Sequence, residues 1–451
     1  MPGKIFRIDL MCTLMRRLRE ADIEKLGILF ARNNRPEVIN FFRPFLLNDY
    51  MARELLSPTR KDQFFVMEEN GEFLAFSMLR GQDEGYDVPS FGIFVDWEHQ
   101  RCGLGKQLSE WTFRWADQTG ASKIRLTVYD ENIQARTLYD RLGFIETERR
   151  RDNDGRVSVI MHRMRPSSVT KVFVSTQALP SDETMARRLS QWSDAGIRCI
   201  ELSNYSIADV SDFLSEALRF PGQLMLHHFF PANRNDVVLN LASEDPTRRH
   251  DTFHFFQRSI EWSAQIGAPF FSFHAGYVTD PIGHDRHGFI LAEPLPGDVE
   301  AASDRFTTEV EALAKYAAEY GIVLLIENNV VTESNKDKLL LATPAEFMHF
   351  YEQPLMSGNV GILLDWGHWL VTANTYRLDL DSFLPLSDLV YGMHLHRNNG
   401  WEDEHLPLPP NDSYINMLRS YKPKFVSLEG HYQSISVLQN DIVQMEKAFH
   451  E

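Results

Sequence analysis

The sequence predicts an α/β protein of two domains, a mixed α+β domain over residues 1–166 followed by a (β/α)8 barrel over residues 167–451. At 451 residues the chain is too long for one ordinary domain. Short apolar runs that alternate with helical patterns characterise the second part. That part also carries the acidic charge: its 20 basic and 38 acidic residues give −18, whereas the first part is nearly neutral.

The composition is that of a folded protein from a reducing compartment. Hydrophobic residues make up 43% of the chain and aromatic residues 12%, so each part can bury an apolar core. Three cysteines are too few for a disulfide framework, and the first thirty residues do not resemble a signal peptide. No apolar run reaches the roughly 18 residues of a membrane span. We therefore expect a cytoplasmic location and no membrane partner.

The first domain contains an antiparallel pattern. Apolar runs at residues 64–67 and 73–80 flank the pair Asn70-Gly71, which is a strong signal for a tight hairpin turn. A further apolar run, Ser90–Val95, precedes a helical pattern at residues 107–117.

Between that strand and that helix lies a glycine-rich loop, Gln100-Arg101-Cys102-Gly103-Leu104-Gly105-Lys106. A turn of this kind directs backbone N–H groups and a helix N-terminus to one point, which suits a pyrophosphate. Glycine lets the backbone adopt positive φ and approach a ligand closely. Taken alone, the loop is weak evidence for phosphate binding, and the alternative is an ordinary turn that opens a helix.

Residues 10–165 resemble the GNAT family of N-acetyltransferases. The acetyl-CoA loop of that family reads Gln/Arg-x-x-Gly-x-Gly/Ala, and Gln100, Gly103 and Gly105 fill it. Residues 124–129 and 132–144 match the family's next strand and helix, and residues 14–23 match its first strand and helix. The resemblance implies that acetyl-CoA is a cofactor and that an amine is the acceptor.

The resemblance also assigns roles to individual residues. Backbone N–H groups around Ile93 and Val95 would bind the thioester and stabilise the developing oxyanion. Asn132 would contact the pantetheine arm, and Tyr139 would protonate the departing sulfur. The alternative for Tyr139 is a core residue on a helix face. Two loop carboxylates are candidates for the general base, and the alternative for both is simple solvation: Glu84 and Asp87.

The second domain contains eight short apolar runs separated by helical patterns. This number and alternation of elements predict a (β/α)8 barrel, which typically has about 250 residues. Two of the helical patterns lie at residues 251–265 and 307–320. The predicted strands are residues 172–176, 198–202, 224–226, 270–273, 322–326, 361–364, 390–395 and 425–428.

Polar side chains lie at the end of most of these runs or just after it. In such barrels the C-terminal ends of the strands face the active site, so we expect these side chains to converge. Each one alone could be a helix cap or a hydrogen-bonded histidine, but together they predict a metal site. They are His227, His274, Glu327, Asp365, His368, His394 and Glu429.

Residues 170–435 or so resemble the xylose-isomerase-like TIM barrels of sugar isomerases and epimerases. The family's metal core maps to Glu327, Asp365, His394 and Glu429, a ligand set that suits Mn²⁺, Mg²⁺ or Co²⁺ and is compatible with zinc. In the epimerases, the residues matching Glu327 and Glu429 shuttle the substrate proton. His368 matches a substrate-binding histidine.

The same superfamily includes endonuclease IV, which holds three zinc ions with a larger ligand set. The chain has a candidate for each of those ligands, because His227, His274, His368, Asp403 and His405 add to the metal core. The −18 charge of this domain disfavours a nucleic-acid partner. Two departures from relatives touch the substrate loop: Arg397 stands where aspartate is usual, and Pro409-Pro410-Asn411 replaces a glycine-rich turn. Arg397 could meet a substrate anion or be an exposed loop residue.

We therefore expect a bifunctional enzyme of carbohydrate metabolism, with small-molecule sugar and amine substrates. The barrel would isomerise or epimerise a sugar, and the first domain would transfer an acetyl group to an amine. The alternatives are a multinuclear zinc phosphodiesterase of the endonuclease IV type, or one domain retained as a non-catalytic binding module. A homo-oligomer is compatible with the sequence, which does not determine the oligomeric state.

Overall fold

A computed structural model of the chain describes residues 13–57, 59–165, 169–179, 183–203, 210–228, 230–231, 238–285, 288–353 and 359–450. The chain forms two compact units, one built chiefly from the residues before 168 and one from those after it. The predicted boundary at residues 166 and 167 lies outside the described residues, as does Cys12. Cys102 and Cys199 are free thiols.

The first unit is a mixed sheet with helices on both faces, as predicted. Seven strands lie in the order β1-β2-β3-β4-β5-β7-β6, and only the β4–β5 pair is parallel. The strands are β1 Leu14–Arg17, β2 Gln63–Glu69, β3 Glu72–Arg80, β4 Ser90–Val95, β5 Lys123–Tyr129, β6 Ile145–Arg151 and β7 Val157–Met164. The helices are α1 Ile23–Asn33, α2 Pro36–Ile39, α3 Asp49–Leu55, α4 Leu104–Gln118 and α5 Ile133–Arg141.

Each face of this sheet buries its own apolar core, because strand side chains alternate between the two faces. Phe65 and Leu126 belong to the core that also contains residues of α4 and α5. Phe76 and Phe94 belong to the core that contains residues of α1 and α3. The predicted hairpin is confirmed, since Asn70 and Gly71 both have positive φ, 50° and 83°, between β2 and β3.

Strands β4 and β5 diverge soon after they begin. Their recorded pairing is the single register contact Ser90 with Arg125, although both strands continue beyond it. A parallel pair that separates in this way leaves a wedge between two strands of one sheet. Backbone groups on the β5 side of β4 are then free to bind a ligand.

The second unit is a closed barrel of eight parallel strands, and each of the eight predicted runs forms one of them. The barrel strands are β8 Lys171–Ser175, β9 Cys199–Leu202, β10 Gln223–His227, β11 Phe270–His274, β14 Val323–Glu327, β15 Val360–Asp365, β16 Val390–Leu395 and β17 Phe425–Leu428. A separate antiparallel pair, β12 Pro281–Asp285 and β13 Gly288–Leu291, follows β11.

Helices follow the barrel strands. The predicted helical pattern at residues 251–265 lies within α8, and that at 307–320 lies in α9 except for its last residue. The helices are α6 Met185–Asp194, α7 Val210–Arg219, α8 Pro246–Gln265, α9 Asp298–Glu319, α10 Pro344–Tyr351, α11 Trp366–Tyr376, α12 Ile415–Ser420 and α13 Ile435–His450. In the part of the chain that the structure describes, every helix is too short or too polar to cross a membrane.

The barrel interior is apolar at one end and polar at the other. Phe270, Val323 and Phe425 begin their strands and pack together in one buried cluster at the N-terminal end. Polar side chains replace them where β11, β14 and β15 end, at His274, Glu327 and Asp365. The apolar N-terminal end of the barrel thus supports a set of polar groups at its C-terminal end.

Candidate functional sites

The four predicted core ligands converge at the C-terminal end of the barrel. Glu327 and Asp365 are the last residues of β14 and β15, His394 lies in β16, and Glu429 directly follows β17. Nδ1 of His394 lies 2.8 Å from Oε2 of Glu429, 3.4 Å from Oε1 of Glu327 and 3.5 Å from Oδ2 of Asp365. One potential ligand atom from each residue falls within 4.8 Å of all the others. The arrangement meets the geometric condition for a shared ion.

Neighbouring polar groups hold these carboxylates in place. The hydroxyl of Ser175 on β8 donates a hydrogen bond to Oε1 of Glu429 at 3.2 Å. The side chain of Asn328 accepts from the backbone N–H of Asp365 and donates to its carbonyl oxygen. Asp365 also caps α11 by accepting from the backbone N–H of His368 at 2.7 Å.

The buried negative charges of this group would be stabilised by a cation. Glu327, Asp365 and Glu429 are almost fully buried, and their recorded ion-pair partners within the described chain are all histidines. Burial alone raises the pKa of Glu327, but the charges of the surrounding histidines lower it to about 2. Burial lowers the pKa of His394, but the carboxylates around it raise the pKa well above its ordinary value. A protonated His394 therefore balances part of the negative charge, and a divalent ion would replace that proton.

Two buried atoms of these ligands, Oε2 of Glu327 and Nδ1 of His394, have polar neighbours within 3.2 Å but form no hydrogen bond of normal geometry. Buried polar atoms are rarely left without a partner unless a water or ion fills the site. The donor set of three carboxylates and one imidazole therefore fits a divalent metal ion.

A second cluster of potential ligands comprises His368, His396, Asp403 and His405. Oδ2 of Asp403 lies 3.1 Å from Nε2 of His405 and 3.4 Å from Nε2 of His368. Nδ1 of His396 lies 3.7 Å from Oδ1 of Asp403. Buried atoms without a hydrogen bond occur here too: Nδ1 of His396, Oδ1 of Asp403 and Nδ1 of His405.

A third cluster comprises His227, His274 and Glu327. Oε2 of Glu327 lies 3.2 Å from Nε2 of His227 and 3.7 Å from Nδ1 of His274. Burial lowers the pKa of His274 to about 4, so its imidazole is neutral and able to bind a metal at ordinary pH. Glu327 belongs both to this cluster and to the core set.

Two residues of the ligand clusters were missed from the sequence: His396, and Glu201, which forms a fourth cluster with His227 and His394. Glu201 lies in β9, fully buried, and its carboxylate contacts Nε2 of His394. A carboxylate within the apolar run Cys-Ile-Glu-Leu was the available signal. His396 packs against Gly367, where an added Cβ would lie 1.9 Å from the imidazole ring. Glycine at 367 is therefore required for His396 to occupy this position.

Arg397 lies at the rim of the site. Its side chain is 51% exposed, and its guanidinium is 3.6 Å from Oδ2 of Asp412. Its backbone forms an antiparallel bridge with Leu406, which joins the two ends of the loop after β16.

The first unit contains a cavity of about 860 Å³ at the wedge between β4 and β5. It is lined by nine of the residues predicted to bind the cofactor or act in acetyl transfer: Ile93, Val95, Gln100, Arg101, Gly103, Gly105, Lys106, Asn132 and Tyr139. Cys102 and Leu104 are not among the lining residues. Cys102 is exposed, and Leu104 packs against the apolar core.

The local backbone explains the glycines of this loop. Gly103 is the N-cap of α4 and has φ of 84°, a conformation that glycine adopts without steric cost. At Gly105 an added Cβ would lie 3.3 Å from Val95, so a larger side chain would press on β4. The N–H of Lys106 donates to the carbonyl of Gly103, so the N–H groups before it, at the start of α4, are those that the helix leaves available to an anion at the cavity.

Tyr139 lies on α5. It packs in the apolar core and is also one of the residues that line the cavity. Burial raises the pKa of Tyr139, so its hydroxyl keeps its proton across the physiological range. Asn132 is the N-cap of α5, and its side-chain oxygen accepts from the backbone N–H of Ala135 at 3.2 Å.

The two loop carboxylates considered as general bases, Glu84 and Asp87, are exposed and do not line the cavity. The carboxylates among the lining residues are Glu37 and Asp152. The side chain of Glu37 is 66% exposed, whereas that of Asp152 is 27% exposed and accepts a hydrogen bond from the Ser158 hydroxyl.

Comparison with known families agrees with both folds. The xylose isomerase-like TIM barrel model matches residues 189–446, and the acetyltransferase (GNAT) family model matches residues 37–144. The chain belongs to the xylose isomerase-like TIM barrel family and carries a GNAT acetyltransferase domain fused before the barrel.

Individual relatives match part of the chain. The [ribosomal protein bS18]-alanine N-acetyltransferase of Escherichia coli K12 is 33% identical over 101 residues, which are 22% of this chain and 67% of that protein. An uncharacterised protein of Methanocaldococcus jannaschii is 25% identical over 172 residues, 37% of this chain, and the chain spans only 55% of its length. A solved D-tagatose 3-epimerase-like protein is 20% identical, with a TM-score of 0.49, over 62% of this chain and 98% of its own.

Proposed function

We propose that the chain is a bifunctional enzyme, an acetyl-CoA-dependent N-acetyltransferase joined to a divalent-metal-dependent isomerase or epimerase of a sugar. The observation that carries the barrel's part is the convergence of Glu327, Asp365, His394 and Glu429 at one buried point. Mn²⁺, Mg²⁺ and Co²⁺ suit this oxygen-rich ligand set, and zinc is compatible with it.

The bound ion would polarise a carbonyl or hydroxyl of the substrate. Glu327 and Glu429 would transfer the proton, because their carboxylates lie near one point. Both approach Nδ1 of His394, at 3.4 Å for Glu327 and 2.8 Å for Glu429. Two carboxylates that flank one position can remove a proton from one side of a carbon and return it on the other. Nδ1 of His368 lies 3.0 Å from the carbonyl of Asn328 and 3.4 Å from Oε1 of Glu327, so this histidine would bind the substrate beside Glu327.

For the acetyltransferase, the cavity at the β4–β5 wedge would hold acetyl-CoA. The loop from Gln100 to Lys106 would bind the pyrophosphate, and backbone N–H groups of β4 near Ile93 and Val95 would bind the thioester oxygen. Tyr139 would donate its proton to the departing sulfur. Asp152 would receive the proton of a primary amine, since it is the less exposed of the two carboxylates at the cavity.

One arrangement favours a second candidate for the barrel, a multinuclear zinc phosphodiesterase. The four ligand clusters adjoin one another and include all nine residues of the larger ligand set. The −18 charge of this domain argues against a polyanionic substrate, because a nucleic acid would be repelled. For this reason the sugar isomerase remains the leading proposal.

Metal content and solvent exchange separate these two candidates. The chain would be stripped with chelator and reloaded with Mn²⁺, Co²⁺ or Zn²⁺, and bound ions would be counted by elemental analysis. An isomerase exchanges substrate C–H for deuterium in D2O, which a panel of ketoses and their phosphates would reveal by NMR. Cleavage of abasic DNA with three zinc ions bound, and no exchange, would overturn the isomerase proposal in favour of the phosphodiesterase.

The acetyltransferase is tested independently by titration calorimetry with acetyl-CoA and by release of free thiol in the presence of amines. Panels of polyamines, amino sugars and peptides with free N-termini would identify the acceptor class. Failure to bind acetyl-CoA would refute this half and leave the barrel proposal unaffected.

A further inference from the structure

Glu201 contacts His394 from the side opposite the core ligands. Both of its carboxylate oxygens lie close to Nε2 of His394, at 3.0 and 3.1 Å, and both side chains are fully buried. The other nitrogen of the same ring, Nδ1, faces Glu327, Asp365 and Glu429. The imidazole thus lies between one carboxylate on β9 and three at the ends of later strands.

Glu201 and His394 form a potential ligand group with His227, but the ring of His227 is held by other partners. Nδ1 of His227 is 4.0 Å from Glu201 but only 2.9 Å from the hydroxyl of Ser272. Nε2 of His227 points to Glu327 at 3.2 Å. The carboxylate of Glu201 is therefore directed at His394.

A carboxylate that accepts the N–H of an imidazole selects which ring nitrogen carries the proton and fixes the orientation of the ring. It also makes the opposite nitrogen a stronger metal ligand, and loss of such a partner typically weakens metal binding about 10- to 100-fold. Here Nε2–H would be donated to Glu201, so the lone pair of Nδ1 would be directed at the centre of the three carboxylates.

We propose that Glu201 is a positioning residue that orients His394 for metal binding and does not itself bind the ion. This inference rests on the proposed metal centre. It makes metal binding depend on a residue of β9, the second strand of the barrel, which contributes none of the four core ligands.

The test compares Glu201→Leu, which removes the acceptor, with Glu201→Gln, which keeps an acceptor oxygen but loses the charge. Glu311→Gln is the matched control, because Glu311 is also a buried carboxylate of the barrel unit and pairs with Lys315 on α9. Co²⁺ affinity would be measured on the full chain by competition with a fluorescent chelator. The visible spectrum of bound Co²⁺ would report ligand geometry, and metal analysis would give the number of ions.

We expect Glu201→Leu to weaken Co²⁺ binding about 10- to 100-fold, with an altered Co²⁺ spectrum and an unchanged number of ions. Glu201→Gln should weaken binding less, and Glu311→Gln should match wild type. If Glu201→Leu does not fold, the Co²⁺ affinity and the Co²⁺ spectrum of Glu201→Gln test the proposal instead.

Two results would overturn the inference. Affinity and spectrum equal to wild type in the folded Glu201 variants would show that His394 needs no such partner. Loss of one bound ion in both variants would make Glu201 a ligand, together with His227 and His394. Absence of Co²⁺ binding by wild type would instead refute the proposed metal centre itself, and the inference with it.

Discussion

Asp365 and His396 join the core ligands to the second cluster. Oδ1 of Asp365 lies 2.9 Å from Nε2 of His396, while Oδ2 of the same carboxylate is 3.5 Å from Nδ1 of His394. The other nitrogen of His396 faces Asp403. A change at either cluster is therefore expected to alter the other, because one carboxylate is shared and buried.

Replacement of Glu327 should abolish barrel activity and weaken metal binding. Glu327→Gln removes one charge from the core set and from the His227–His274 cluster at once. We expect less metal retained after dialysis and no detectable solvent exchange at the substrate carbon. Glu333→Gln, an exposed carboxylate after the same strand, is the control. Turnover that persists in Glu327→Gln would exclude Glu327 from the proton-transfer pair.

Acetyl-CoA binding should depend on Gly103. Gly103→Glu places a side chain in a left-handed conformation and a negative charge beside the proposed pyrophosphate site. We expect the dissociation constant for acetyl-CoA, measured by calorimetry, to rise by about tenfold or more, the effect of losing about 1.4 kcal/mol.

Gly120→Glu provides the control for that strain. Gly120 also has positive φ, 91°, with no atom near an added Cβ, but does not line the cavity. Equal weakening by both variants would attribute the effect to folding and would count against the loop assignment.

Tyr139→Phe should slow acetyl transfer without weakening acetyl-CoA binding. The phenylalanine ring keeps the packing against Phe91 and Phe144 but cannot donate a proton to the thiolate. Loss of a general acid typically costs about 10²-fold or more in rate. The measurement is kcat from thiol release, with Tyr86→Phe on the exposed loop as control. An unchanged kcat would indicate that Tyr139 serves only the core.

The metal-free barrel should lose stability as pH rises from 6.5 to 9. Burial alone lowers the pKa of His405, but its hydrogen bond to Asp403 and that carboxylate's charge raise it to about 9. The pKa values of His368 and His394 are raised too, by the carboxylates around them. A histidine whose folded pKa exceeds its unfolded value of about 6.5 stabilises the fold below that value and loses this contribution as pH rises.

Thermal denaturation of chelator-treated protein would measure this decline, seen as a falling Tm across that range. Asp403→Asn removes a partner of His405 and His368, so its Tm should vary less between pH 6.5 and 9. Bound metal should also flatten the curve, because the ion replaces the protons. A Tm of the metal-free wild type that rises or stays constant would contradict these pKa shifts.

Much of the architecture was predictable because it follows local patterns. Apolar runs of strand length marked all eight barrel strands, and Asn70-Gly71 marked the first hairpin. The side chains at Glu327 and Asp365 were found because they come directly after such runs. Because the barrel strands are parallel, their C-terminal ends lie together at one end of the barrel.

Other features were not predictable from the same reasoning. Glu201 was missed because it lies inside a strand, where sequence position alone does not show which way a side chain points. His396 was missed because its contacts, with Asp365, Asp403 and Gly367, come from separate segments. Conversely, Glu84 and Asp87 were considered as general bases, but both are exposed and neither lines the cavity.

The sequence by itself determined the two fold classes and the strand ends that carry polar side chains, because hydrophobic periodicity and chain order are local properties. Only the tertiary structure decided that the polar residues form four adjoining clusters, that β4 and β5 open a cavity, and that Glu201 reaches His394. These are distances between segments far apart in the chain, set by closure of the barrel and twist of the sheet.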